Sequence, residues 1–118
     1  MEDKNINNKE DGMKFVLMMY DGAIAYLDKA KEFMADGDIR NRNIYTNKTR
    51  TIVKELRNSL DHEAGGEMAE NLDIFYKSVD LYFDLSTKRN DGYGLDQAYN
   101  MLAGVKEGWE FVSQQNAA

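Results

Sequence analysis

The sequence predicts an all-α fold, an antiparallel up-down four-helix bundle with a short mobile N-terminal segment. Three observations predict it. The 118 residues contain no proline, so no helix interior is interrupted by a missing N–H. Apolar side chains recur at spacings of three and four in four separate stretches, and no strand-like alternation competes. The stretches are separated by short glycine-bearing turns, which make consecutive helices antiparallel. A chain of this length holds one core, assigned here to a single domain over residues 13–118.

Residues 1–12 are polar and charged, with Ile6 the one apolar side chain after Met1. They cannot bury enough surface to offset ordering, and the expectation is a mobile segment. They also lack an apolar h-region, so no secretory signal is expected. No stretch approaches the roughly 20 apolar residues of a membrane span.

The first helix begins at Met13. Val16, Tyr20, Ala23, Leu27, Ala30 and Met34 form its stripe, widened by Leu17, Ile24 and Phe33. Gly37 stands where a left-handed residue ends a helix, and Asp38 is a good N-cap for the next. The second helix is expected over about residues 39–60, with Tyr45, Thr49, Ile52, Val53, Leu56 and Leu60 inward. Asp61 to Gly66 reads as a turn, because its glycines permit positive φ.

The third helix, about residues 67–87, carries Met68, Leu72, Phe75, Val79 and Tyr82 on one face and Ile74, Leu81 and Leu85 on another. Two apolar stripes mean that it touches more than one neighbour or leaves one stripe for a partner. Asn90 to Gly94 is the next turn. The fourth helix, about residues 95–113, places Leu95, Ala98, Leu102, Val105, Trp109 and Val112 inward.

The formal net charge is −6, unevenly spread. Residues 38–60 carry Arg40, Arg42, Lys48, Arg50, Lys54 and Arg57 against Asp38 and Glu55, whereas residues 61–118 are strongly acidic. A basic helix in an acidic molecule suits an acidic partner, or is simply salted against its neighbours. Nucleic acid is not an expected partner: the overall field repels phosphate, and no stacking aromatics lie among the arginines.

Catalytic and metal chemistry find no support. There is no cysteine and one histidine, His62, in a glycine-bounded turn. That excludes a Glu-x-x-His di-iron bundle and the H-E-x-x-H zinc pattern. The serines have no nucleophile-elbow context, and no glycine loop cradles phosphate. Carboxylate pairs such as Asp80/Asp84 read as solvated helix surface. Gly104-x-x-x-Gly108 has the spacing of a membrane dimer face in a helix too polar for one, and close packing beside Trp109 is expected instead. No enzyme, cofactor or metal is expected.

What remains is a surface for binding. Met13, Met18, Met19, Met34, Met68 and Met101 recur along the stripes, and methionine suits grooves that accept varied ligands as well as ordinary cores. Adjacent Met18 and Met19 lie about 100° apart and cannot share one seam. The chain has 7 tyrosines, whose rings bury while their hydroxyls need a partner. Gly22 inside a helical pattern costs about 1 kcal/mol relative to alanine, so it marks a close approach by a neighbouring helix or a ligand.

From about Phe15 to Phe111 the chain resembles the flagellar secretion chaperones, the FliS family. The residues that carry the resemblance are Leu17-Met18-Met19-Tyr20-Asp21-Gly22-Ala23 and Ala35-Asp36-Gly37-Asp38. Leu56-Arg57-Asn58-Ser59-Leu60-Asp61 follows, leading into Gly65 to Leu72, then Phe75-Tyr76 and Glu107-Gly108-Trp109-Glu110. Each piece is weak alone; together, in order and spacing, they are specific. Residues 1–12 lack the tyrosine and proline with which family members usually begin, so the groove-covering role of that segment does not carry over on its residues. His62 stands where proline is common, a small change in a turn.

The resemblance implies a cytoplasmic export chaperone. Such a protein binds the disordered C-terminal segment of flagellin as helices in apolar grooves, prevents premature polymerisation and presents its cargo to the flagellar type III export apparatus. Leu17, Met18, Tyr20, Asp21 and Gly22 of the first helix and Leu72, Phe75 and Tyr76 of the third are the expected groove residues. The alternative is a dimerising or scaffold bundle that regulates flagellar assembly without carrying flagellin. It would self-associate and ignore flagellin; a homodimer is compatible with either.

Overall fold

The computed structural model describes residues 3–117, with side chains from 12 to 115. Four helices account for nearly all of it: α1 (Asp3–Ala35), α2 (Ile39–Asn58), α3 (His62–Arg89) and α4 (Tyr93–Ala117). α1 packs on α2 and α4, and α3 packs on the same two, while α1 and α3 make no close backbone approach. The arrangement is therefore a square with α1 and α3 on one diagonal, the up-down four-helix bundle that the turns and periodicity predict. Its extents are 53 × 24 × 20 Å.

The caps follow from the sequence. Gly37 takes φ +75°, and the Asp38 carboxylate accepts the Asn41 N–H at 3.1 Å and the Asn41 side-chain amide at 2.7 Å. These bonds favour the charged carboxylate and hold its pKa below the usual value. At the next turn the Asp61 side chain accepts the Ala64 N–H at 3.0 Å. That cap starts α3 earlier than the sequence reading, so His62 lies in a first helical turn rather than a loop. Gly66, at φ 51° and ψ −127°, then kinks the helix, and the remainder begins near residue 67 as expected. Asn90 ends α3 in the left-handed region at φ 52°. α1 also starts earlier, because its backbone is helical from Asp3. The mobility expected of residues 1–12 concerns side chains that, through residue 11, lie outside the described residues.

The core is built from Tyr20, Ala23, Leu27 and Ala30 of α1, Val53 and Leu56 of α2, Tyr76, Val79 and Phe83 of α3, and Leu95, Ala98 and Leu102 of α4. On α1, α2 and α4 these lie within the predicted stripes. On α3 the buried line is Ala69, Tyr76, Val79, Phe83 and Ser86, rotated from the predicted one, and Met68 is exposed. Tyr76 and Phe83 take the centre; Leu72, Phe75 and Tyr82 flank it half-buried. A wide apolar arc gave no way to choose its midpoint, and the largest rings took it.

At the end where α1 turns into α2 and α3 into α4, Arg42 is only 4% exposed. Its guanidinium donates to Asn90 Oδ1 at 2.6 Å, to Asn43 Oδ1 at 2.8 and 3.1 Å, and to Met34 Sδ at 3.3 Å. One side chain thus ties both turns together. Gly94 sits against the α3 backbone at Tyr82 and Ser86, where a Cβ would lie 2.8 Å from Ser86 Cβ. Gly104 and Gly108 are exposed with nothing near them, which corrects the expectation of close packing beside Trp109.

Candidate functional site

Residues 17–22 occupy one and a half turns of α1, so their side chains fan around the helix and reach different neighbours. Tyr20 points inward and is fully buried. Its hydroxyl meets that of Tyr76, also buried, at 2.6 Å, and the two rings lie 6.5 Å apart. Burial raises the pKa of both phenols, Tyr76 the more strongly; the bond to Tyr76 and the nearby Trp109 indole N–H partly oppose the rise at Tyr20. The Trp109 N–H approaches that hydroxyl without closing a well-directed bond. It is the one buried side-chain donor left without a partner among the described residues.

Phe75 packs edge-on against Tyr76 at 5.5 Å, and Leu72 lies half-buried beside the core. Leu17 is half-buried. Met18 is 68% exposed, whereas adjacent Met19 packs against the core, so the pair divides as its 100° offset requires. Asp21 turns toward α4 and pairs with Lys106 at 2.6 Å, and Lys106 also reaches Glu110 at 3.5 Å. The Asp21 bond chiefly raises the Lys106 pKa. Gly22 faces α2, where an added Cβ would lie 3.4 Å from Ile52 Cδ1; its neighbour is a flexible side chain, not a backbone. The structure thus brings Tyr20, Phe75 and Tyr76 together in one cluster and spreads Leu17, Met18, Asp21 and Gly22 around α1.

Phe15 is a further large apolar side chain that the sequence reading did not single out. It is 60% exposed and, with Met18 and Gly22, completes an i, i+3, i+7 set on one face of α1. The spacing was visible in the sequence, but nothing there marked Phe15 and Met18 as uncovered while Gly22 lies against α2. Of the second apolar stripe on α3, Ile74 and Leu81 are exposed and Leu85 is half-buried, so the other helices cover it only in part.

A concavity of about 800 Å³ lies between α2 and α3, lined by Asn47, Arg50, Thr51, Val53, Lys54, Arg57, Tyr76, Lys77, Asp80 and Leu81. Arg50 holds Asp80 through two bonds of 2.8 and 2.9 Å and Asp84 at 3.0 Å. These acids, expected to be merely solvated, are the clamp on a half-buried arginine. Arg57 meets Asp73 at 2.6 Å, and this bond and the one to Lys77 hold the Asp73 pKa down. No described helix is long and apolar enough to cross a membrane.

The family model for the flagellar protein FliS matches residues 3–116. The chain is 30% identical over 103 residues to a flagellar secretion chaperone FliS of Campylobacter jejuni, covering 87% of this chain and 80% of the relative. It is 29% identical over 101 residues to the flagellar secretion chaperone FliS of Salmonella typhimurium, covering 85% and 75% of the two chains. To the flagellar secretion chaperone FliSB of Pseudomonas aeruginosa it is 31% identical over 100 residues, covering 85% and 79%. With its four-helix architecture and a match that runs through every helix, the chain belongs to the FliS family of flagellar proteins.

Proposed function

We infer that this protein is a non-catalytic, cytoplasmic flagellar secretion chaperone. Its cargo is the disordered C-terminal segment of flagellin, which it shields from premature polymerisation and hands to the type III export apparatus. The observation that carries this reading is apolar surface left uncovered on a bundle whose core is already filled. Phe15 and Met18 stand out from α1, Leu17 is half-buried beside them, and the Tyr20–Tyr76 bond fixes the helices beneath. A rigid platform of this kind binds a floppy segment well, because only the guest loses freedom on docking.

Among the groove residues, Leu17, Met18 and Gly22 are assigned to direct contact, with Phe15 added to them. Leu72 and Phe75 stand on α3, across the diagonal from α1, and are assigned to a different stretch of the same segment; Tyr20 and Tyr76 support the bundle from within, and Asp21 sets α4 against α1.

Co-purification with flagellin, full length against a form lacking its C-terminal helix, tests the reading. The complex is expected with the first and not the second. Met18→Glu and Phe15→Glu place charges at exposed positions, so both variants should fold, and each should weaken the complex about tenfold or more. Normal binding by both variants would sink the site assignment. Failure to hold flagellin at all would sink the chaperone reading.

A further inference from the structure

We propose that the α2–α3 groove is a second docking site, for an acidic amphipathic helix about three turns long. It is separate from the exposed α1 surface assigned to flagellin, sharing with that assignment only the buried Tyr76, and it stands whether or not that assignment holds.

The seam is open for a reason legible in its residues. Where α2 faces α3 the outer edge of the seam carries long cationic side chains joined by ion pairs, while Val53 and Leu56 share the core with Tyr76, Val79 and Phe83 beneath. Arg50–Asp80 forms one tie and Arg57–Asp73 the other. They stand seven residues apart on each helix, roughly 10 Å along the axis. Between them the groove opens onto Val53 and Lys54 of α2 and Tyr76 and Lys77 of α3. Val53 and Tyr76 are buried and form an apolar floor, while Leu81, 66% exposed, stands at the rim.

Charge selects the occupant. The groove holds four cationic side chains against Asp80, in a protein of net charge −6. Arg50 and Arg57 are engaged by the ties. Lys54 makes no ion pair among the described residues, and the partner of Lys77 is Asp73 on its own helix, at 3.1 Å. One unpaired ammonium, Lys54, and one held by an i, i+4 pair on its own helix, Lys77, therefore flank the apolar floor. A guest helix with carboxylates beside its apolar face would meet both, and one with lysines there would be repelled. The lining from Asn47 to Arg57 extends about 15 Å, which fits about three helical turns. Asn47 and Thr51 supply hydrogen-bonding side chains at the edge.

Two synthetic peptides of about fourteen residues test this. They share one apolar helical face, flanked by glutamates in one and by lysines in the other. Calorimetry with the full chain should show the glutamate peptide binding about tenfold more tightly or better, and weakening as salt is raised. Lys54→Glu and Leu81→Asp, both at exposed positions, should each weaken it about fivefold or more and leave the flagellin C-terminal segment bound as before. Any of four results overturns the proposal: neither peptide binds, both bind equally, the variants bind like wild type, or the flagellin segment displaces the glutamate peptide.

Discussion

The hydroxyls of Tyr20 and Tyr76 meet at 2.6 Å across the diagonal of the bundle, linking two helices whose backbones never come close. Each is the other's buried partner, so removing one strands the other. Tyr20→Phe or Tyr76→Phe alone should cost about 1–3 kcal/mol, and the double variant should cost less than the sum. Urea denaturation of the three variants measures the coupling. Strict additivity would mean that the bond contributes nothing specific.

The same pair makes the fold sensitive to alkali. Both phenols are raised above the ordinary value of 10.0, so the folded state keeps protons that the unfolded chain gives up. Their contribution is complete below about pH 10 and is lost as pH climbs from there toward the raised values, at up to about 1.4 kcal/mol per pH unit for each phenol. Denaturation midpoints taken at about pH 9 and about pH 11 should fall more steeply in the wild type than in the Tyr20→Phe/Tyr76→Phe double variant.

Arg42 is charged, buried and bonded only to neutral groups. Its planar fork reaches Asn43 and Asn90 at once, which a lysine ammonium cannot do. Arg42→Lys should therefore destabilise by about 1–3 kcal/mol, and faster amide exchange at the α3–α4 turn should accompany the loss. An unchanged melting temperature would show that the buried charge is not held by these bonds.

Two glycines should respond in opposite senses. At Gly94 a Cβ runs into the α3 backbone, so Gly94→Ala must push α4 outward and should cost about 2 kcal/mol or more. At Gly22 the nearest atom is the movable tip of Ile52, and Gly22→Ala should be neutral or stabilising by up to about 1 kcal/mol. Thermal melts separate the two. If Gly22→Ala keeps its stability yet loses flagellin, the glycine serves the cargo rather than the fold.

The bundle, its helix count and most of its caps were legible in the sequence, because periodicity, glycine and Asp38 act locally. The inward face of α3 was less so: Met68, Leu72, Phe75 and Val79 fit a helical stripe as well as Tyr76, Val79 and Phe83 do, and only packing against three other helices decides between them. Arg42 read as one more surface cation, since its partner Asn90 lies 48 residues away. The basic asymmetry of residues 38–60 was visible, but its pairing with Asp73, Asp80 and Asp84 depends on the α2–α3 register. Among the expected groove residues, periodicity placed Tyr20 in the inward stripe and left Met18 off it, but could not show that Tyr20 is sealed by a bond to Tyr76, 56 residues away.

Arg42 pins one end of the bundle, because a single guanidinium bonds residues of both turns there. The opposite end, where α2 passes into α3 beside the Gly66 bend, has no such rivet among the described residues. Local opening should therefore be rarest beside Arg42 and grow along the helices away from it.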